Sequence, residues 1–147
     1  GEITVQAQTT SCPFCPDRLM EQQQLVLANE QCLFLQQSQP VLQGSGFIIP
    51  RAHRETVFDM TSQEWAATQD LLQQVKQLLD EQWQPAGYNV GWNNGQVAGQ
   101  TVMHVHMHVI PRFADEPYAG RGMRSWLKSE ANLRPGTGRN RGQVSSP

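Results

Sequence analysis

The sequence predicts an α+β domain, a five-stranded antiparallel sheet with one long helix on one face. Three observations predict it. Short apolar runs at 25–27, 32–35 and 47–49 are separated by turns and loops too short for a parallel crossover. From Trp65 to Leu79 apolar residues recur at helical spacing behind a helix-start signal. Within Gln100–Arg112, His104, His106 and His108 alternate with apolar residues, as on a strand with two unlike faces.

In chain order, residues 1–10 are polar and expected to be loosely held. Next comes Cys12-Pro13-Phe14-Cys15. A Cys-x-x-Cys pair by itself reads as half a zinc site, a redox pair or neither. The redox reading wants a βαβ setting, and the strands after the pair look antiparallel. The zinc reading needs two more ligands, from Cys32 or the histidines. Runs 25–27 and 32–35 form two strands around the turn Asn29-Glu30-Gln31, and Cys32 is expected to be a buried core thiol. A polar loop, 36–43, leads to the flexible turn Gly44-Ser45-Gly46. The third strand, 47–49, is closed by Pro50. His53, in Pro50-Arg51-Ala52-His53, is by itself an ordinary loop histidine.

Thr61 and Glu64 form a capping box, so a helix should run from about residue 62 to 83 and stop before Pro85. Its stripe (Trp65, Thr68, Leu71, Leu72, Val75, Leu78, Leu79) is expected to be core packing without a catalytic role. Residues 88–92 form the fourth strand and Asn93-Asn94-Gly95 turns it. A short flexible loop, 96–99, leads to the fifth strand, closed by Pro111.

The fifth strand holds three of the chain's four histidines. On a strand, His104, His106 and His108 share one face, and Val105, Met107 and Val109 the other. On a helix, at roughly 100° per residue, they would spread about 200° apart per step and build no common site. Imidazole titrates near neutral pH, binds metal and can attack phosphorus. A solvent-facing strand is the plain alternative, but such a face more usually carries Lys, Glu or Thr.

His104-Val105-His106-Met107-His108-Val109-Ile110 resembles the His-x-His-x-His-x-x signature of the histidine triad (HIT) superfamily of nucleotidyl hydrolases and transferases. Asn93 and Gly99-Gln100-Thr101-Val102 resemble the approach to the triad in its nucleoside phosphoramidase branch, and the likeness runs from about residue 12 to 112. The resemblance implies a HIT-like fold with a short N-terminal helix or turn, a HIT domain at 11–116, and a homodimer sharing an extended sheet. It implies that Cys12, Cys15, His53 and His104 bind Zn²⁺, a closed four-ligand set and hence a structural ion that pins the N-terminal segment to the triad. It also implies that His106 attacks the α-phosphorus of a purine nucleotide and forms a phosphohistidine, while His108 hydrogen-bonds the phosphoryl oxygens. Gln100 and Thr101 would lie near the leaving group, and Asn93 near the phosphate. The substrate class is a nucleoside phosphoramidate or a dinucleoside polyphosphate. Leu35, Phe47 and Ile49 are candidates for an apolar base pocket, or equally for core.

Two positions depart from the family pattern. Gly44-Ser45 stands where many relatives have Gly-His, and Gln37 where Asp or Asn binds ribose hydroxyls; Gln still offers a donor and an acceptor. Together they motivate a second reading, a nucleotide-binding or sensing module with slow turnover. A third reading, an open catalytic zinc site on two triad histidines, leaves Cys12 and Cys15 without partners.

Net charge is −2, which argues against a general nucleic-acid role. The charge is uneven. Residues 1–116 hold 5 Lys+Arg against 12 Asp+Glu, or −7, and residues 117–147 hold 6 against 1, or +5. In that basic, Gly/Arg/Pro-rich extension, residues 123–128 are expected to form one helical turn around Trp126, and 134–142 to be mobile. It serves either as a solvated tail or as a hold on a phosphate-rich substrate. No apolar run approaches the roughly 20 residues of a membrane span, and no charged-then-apolar leader opens the chain, which starts at Gly1. Three cysteines make no disulfide framework, so a reducing cytoplasm is the expected location.

Overall fold

The structure, a computed structural model, describes residues 12, 14, 15 and 23–136. The segment expected to be loose at 1–10, and the tail from 137 on, lie outside the described residues. Among the described residues five strands and one α-helix follow one another as β1 (Gln24–Ala28), β2 (Cys32–Gln36), β3 (Gly46–Pro50), α1 (Ser62–Trp83), β4 (Gly87–Trp92) and β5 (Met107–Arg112). The sheet order is β1-β2-β3-β5-β4, with every neighbour antiparallel. The expected N-terminal turn is present at Cys12–Cys15, where the Cys15 amide donates to the Cys12 carbonyl at 3.2 Å; residues 16–22 lie outside the described set.

Period-two alternation sorts each strand between two cores. Cys32, Phe34, Ile48, Met107 and Val109 turn to α1 and pack with Leu71, Val75 and Leu79. Leu33, Leu35 and Ile49 turn the other way and pack with Cys12, Phe14 and Cys15. The N-terminal cysteine loop therefore covers the sheet face opposite the helix. Burying each large aliphatic side chain contributes roughly 1.5–3 kcal/mol, so both layers hold the sheet between them. Cys32 is a fully buried thiol, as expected, and burial pushes its pKa up.

The helix starts and ends where its caps place it. The Thr61 hydroxyl accepts from the Glu64 amide at 3.1 Å, and the Glu64 carboxylate accepts from the Thr61 amide at 2.8 Å. The buried face is Glu64, Thr68, Leu71, Val75 and Leu79. Trp65 departs from expectation. It is 46% exposed and meets Trp92 edge-on with ring centroids 5.5 Å apart. Glu64 takes the inward position instead, because Arg54 reaches its two oxygens at 3.1 and 3.2 Å and neutralises it.

The fifth strand begins later than alternation suggests. β3 pairs β5 only from Gly46 opposite Val109 to Ile48 opposite Met107. Beyond that, Pro50 has no N–H to extend a ladder. The Val105 amide instead donates to the Arg54 carbonyl at 2.7 Å, so the chain between Gln100 and His106 is held by loops. β5 also runs one residue past Pro111, which lies beyond the part of β5 that β3 pairs.

The described residues form two compact units, divided between Ala114 and Asp115. The second is built of turns. Lys128 N donates to Arg124 O at 3.1 Å, which supplies the expected helical turn around Trp126. A 3₁₀ turn, Glu130–Asn132, is capped by the Ser129 hydroxyl. Among the described residues no helix is long and apolar enough to cross a membrane.

Candidate active site and metal centre

Two clusters meet at the start of β5. In the first, the ligating atoms of Cys12, Cys15, His53 and His104 all lie within 4.8 Å of one another. Cys12 Sγ is 3.3 Å from His104 Nδ1, and Cys15 Sγ is 3.2 Å from His53 Nδ1 and 3.5 Å from His104 Nδ1. A tetrahedral ion with bonds of about 2.3 Å to sulfur and about 2.0 Å to nitrogen puts neighbouring donors roughly 3.5 Å apart, so this donor set fits one. His104 is fully buried, and its Nε2 lies 2.9 Å from the Pro50 carbonyl oxygen. A carbonyl only accepts, so Nε2 carries the proton and Nδ1 presents its lone pair to the cluster. Burial pushes the His104 pKa down to about 4, which keeps the ring neutral. These four residues could hold a metal ion. The set is closed, with two triad histidines outside it, and an open site on two triad histidines finds no support here.

The second cluster is His106, His108 and Asn93. His106 is buried, and its Nδ1 lies 2.9 Å from the His104 carbonyl oxygen. By the same argument Nδ1 donates and Nε2 keeps its lone pair. Burial lowers the His106 pKa, so the nucleophilic neutral form prevails. The ring of His108 is 5.1 Å from that of His106, and Asn93 Nδ2 lies 3.5 Å from His108 Nε2. Burial, then the neighbouring His106, lower the His108 pKa. His108 is thus neutral at rest, rather than a standing imidazolium donor. A bound phosphate would favour its protonated, stronger donor form.

Phe14, which carries no motif of its own in the sequence, joins the clusters. It sits between the two cysteines and meets Phe47, His104 and His106 with ring centroids 5.7, 6.2 and 5.1 Å apart. Phe47 in turn lies edge-on to His106 and His108 at 5.3 and 5.2 Å. The one sequence signal for Phe14 is an aromatic residue flanked by two thiols. These edge-to-face contacts hold the orientation of the His106 ring.

Other expected residues fall elsewhere. Leu35 is fully buried in the layer beneath the cysteine loop, so in this structure it is core rather than an open pocket wall, and Ile49 likewise. The Phe14 loop closes over both. Gln100 is also buried. Its Oε1 accepts from the Gly95 amide at 2.8 Å, and its Nε2 donates to the Glu55 and Val102 carbonyls at 2.6 and 3.0 Å. Its amide ties the loop before the triad to the segment after β3, so it positions rather than faces a leaving group. Thr101, next to it, is exposed. Gln37 is exposed and lines a cleft of about 550 Å³ at the end of α1, which no triad histidine lines. The Ser45 hydroxyl lies 3.4 Å from Gln39 Nε2 on the same cleft.

The HIT domain family matches residues 18–115. The chain belongs to the HIT family. It is 32% identical over 95 residues to an adenosine 5′-monophosphoramidase of Schizosaccharomyces pombe, covering 65% of this chain and 68% of that one. It is 31% identical over 94 residues to a bis(5′-adenosyl)-triphosphatase of Dictyostelium discoideum, covering 64% and 63%. Among solved structures it is similar to a Zn-bound histidine triad family protein from Mycobacterium smegmatis, with TM-score 0.66, 26% identity, and 78% and 84% coverage.

Proposed function

We propose that the protein is a nucleotidyl hydrolase that cleaves a purine nucleoside phosphoramidate or dinucleoside polyphosphate at the α-phosphorus through His106. The observation that carries this reading is the His106 Nδ1 bond to the His104 carbonyl, which leaves a neutral ring with Nε2 free to attack. A bond forms from Nε2 to phosphorus as the bond to the leaving amine or phosphate breaks. Water then attacks the phosphohistidine, releases a nucleoside monophosphate and returns Nε2. His108 and Asn93 supply donors to the phosphoryl oxygens, where charge develops. The family resemblance supports a role for Thr101 near the leaving group, and the similarity to both a phosphoramidase and a triphosphatase supports a site that accepts either bond.

The metal at Cys12, Cys15, His53 and His104 is zinc in this reading, a structural ion that takes no part in the chemical step. Three cysteines, two of them given to the metal, make no disulfide framework and support a reducing cytoplasm. The outer edge of β4, which no strand among the described residues pairs, supports a homodimer that extends the sheet.

The test is release of nucleoside monophosphate from adenosine phosphoramidate and from diadenosine tetraphosphate. Wild type should release it from at least one, and His106→Ala should lose about 10⁴-fold or more. Nucleotide binding without release from either would support the slow-turnover sensing module, which the position of Ser45 on the glutamine cleft, bonded by Gln39, favours.

A further inference from the structure

The cysteine loop carries a chemistry that hydrolysis does not use. Cys12 and Cys15 close a four-residue turn, in which the Cys15 amide donates to the Cys12 carbonyl at 3.2 Å. Such a turn holds its end Cα atoms within about 7 Å, and a disulfide asks for about 4.4–6.8 Å. Both sulfurs face one ring nitrogen, with Cys12 Sγ at 3.3 Å and Cys15 Sγ at 3.5 Å from His104 Nδ1. They lie within 4.8 Å of each other. Bringing them to a bonded distance takes side-chain rotation within a turn that already has the right span.

The third cysteine stands apart. Cys32 packs in the core under α1, where its Sγ lies 3.5 Å from Thr68 Oγ1 and 3.8 Å from the Glu64 carbonyl oxygen. Cys12 and Cys15 pack on the other face of the sheet with Leu33, Leu35 and Ile49. The sheet separates Cys32 from the pair, so oxidation has one internal product.

The same two sulfurs are two of the four donors that could hold the metal. Sulfur binds a metal as thiolate, and a sulfur spent in a disulfide no longer does so. Oxidation would leave only the imidazoles of His53 and His104, where a structural zinc asks for four donors. A bound dication would hold both sulfurs as thiolates, the form that attacks a peroxide. The antiparallel setting argues against a catalytic redox pair but not against a stoichiometric one.

We propose that Cys12 and Cys15 are a peroxide-sensitive modification site whose closure to a disulfide expels the metal. The proposal rests on the zinc reading of the four-residue site. One thiolate attacks hydrogen peroxide, the O–O bond breaks, and a sulfenic acid and water result with uptake of one proton. The second thiolate attacks that sulfur, the S–S bond forms as the S–O bond breaks, and a second water leaves with another proton. Two electrons pass from the sulfurs to the peroxide oxygens. The loop so released includes Phe14, whose ring lies 5.1 Å from that of His106, and the metal side of His104, whose carbonyl fixes the His106 tautomer. Oxidation thus reaches the triad through two contacts.

The test uses the full chain loaded with Zn²⁺. A chain that takes up no Zn²⁺ contradicts the zinc reading before any oxidant is added, and the proposal with it. Both sulfurs are buried, so loaded protein is exposed to about 1 mM hydrogen peroxide for about an hour, within the time disulfide formation takes. Metal release is followed with a chromophoric chelator against a peroxide-free control, and the products by intact mass and peptide mapping. A loss of about 2 Da, a Cys12–Cys15 cross-linked peptide and release of about one equivalent of Zn²⁺ in step are expected. Dithiothreitol with added Zn²⁺ should restore the starting state. Cys32→Ala should give the same products, and Cys12→Ser should lose no such mass. Thiols that stay reduced, higher sulfur oxides without a disulfide, or a disulfide that leaves the metal bound would each overturn the proposal and leave the zinc reading standing.

Discussion

At His104 and His106 the deciding partner is a backbone carbonyl. Pro50 O accepts a hydrogen bond from His104 Nε2 and leaves Nδ1 turned to the cysteines; His104 O accepts one from His106 Nδ1 and leaves Nε2 turned outward. Neighbouring triad histidines thus offer opposite nitrogens, one to a metal site and one to a substrate. Sequence could name the histidines but not their tautomers, because the carbonyls that fix them come from the ends of other segments. The same limit hid Phe14, whose role depends on contacts with Phe47 and His106. It also misplaced Gln100, whose amide is consumed by three loop backbone groups. Burial lowers the pKa of all three triad histidines, and the sign of the consequence is definite. Above about pH 6.5 they are neutral in both folded and unfolded chains, and stability is full. As pH falls below 6.5 the unfolded chain binds protons that the folded chain refuses, so stability falls, for His104 until about pH 4. Thermal melts of zinc-free protein should show Tm dropping steadily from about pH 6.5 to about pH 4.5. A Tm flat across that window would contradict the burial of these rings as neutral groups.

At the scale of elements, the helix was the most legible part. Thr61 and Glu64 mark its start, and the residue before Pro85 cannot continue it, so the 62–83 expectation matches Ser62–Trp83. The strands were legible from alternation, and Val105, Met107 and Val109 do turn away from the histidine face. The start of β5 was not legible, because it depends on where β3 stops supplying partners. Nor was the outward turn of Trp65, which results from the Arg54–Glu64 pair filling the inward position. Gly46 shows how tightly β2 and β3 approach. A Cβ there would land on the Leu35 carbonyl oxygen and within 2.6 and 2.7 Å of the Phe34 ring. Gly46→Ala should therefore cost about 1–3 kcal/mol, read as a lower denaturant midpoint with an unchanged slope. A midpoint within error of wild type would mean that the strands separate at no cost.

At the scale of the whole molecule, the described residues up to Ala114 form a sheet clamped between α1 and the cysteine loop. The loop packs through its own small cluster, and the metal reading makes the ion its anchor. Purified protein should contain about one zinc per chain. Strong chelation should lower Tm by about 10 °C or more, as should Cys12→Ser. Protein without metal and with a Tm indifferent to chelator would remove the zinc assignment while leaving His106 in place.

Catalysis in this reading turns on His106 Nε2 taking up the α-phosphorus. Rapid quenching of wild type with adenosine phosphoramidate into alkali, which preserves phosphohistidine, followed by peptide mapping by mass spectrometry, looks for that bond itself. A nucleotidyl group on His106 is expected early in turnover, and in the His106→Ala protein it should be missing together with product release. A nucleotidyl group on another residue, or undiminished release by His106→Ala, would contradict the role given to His106.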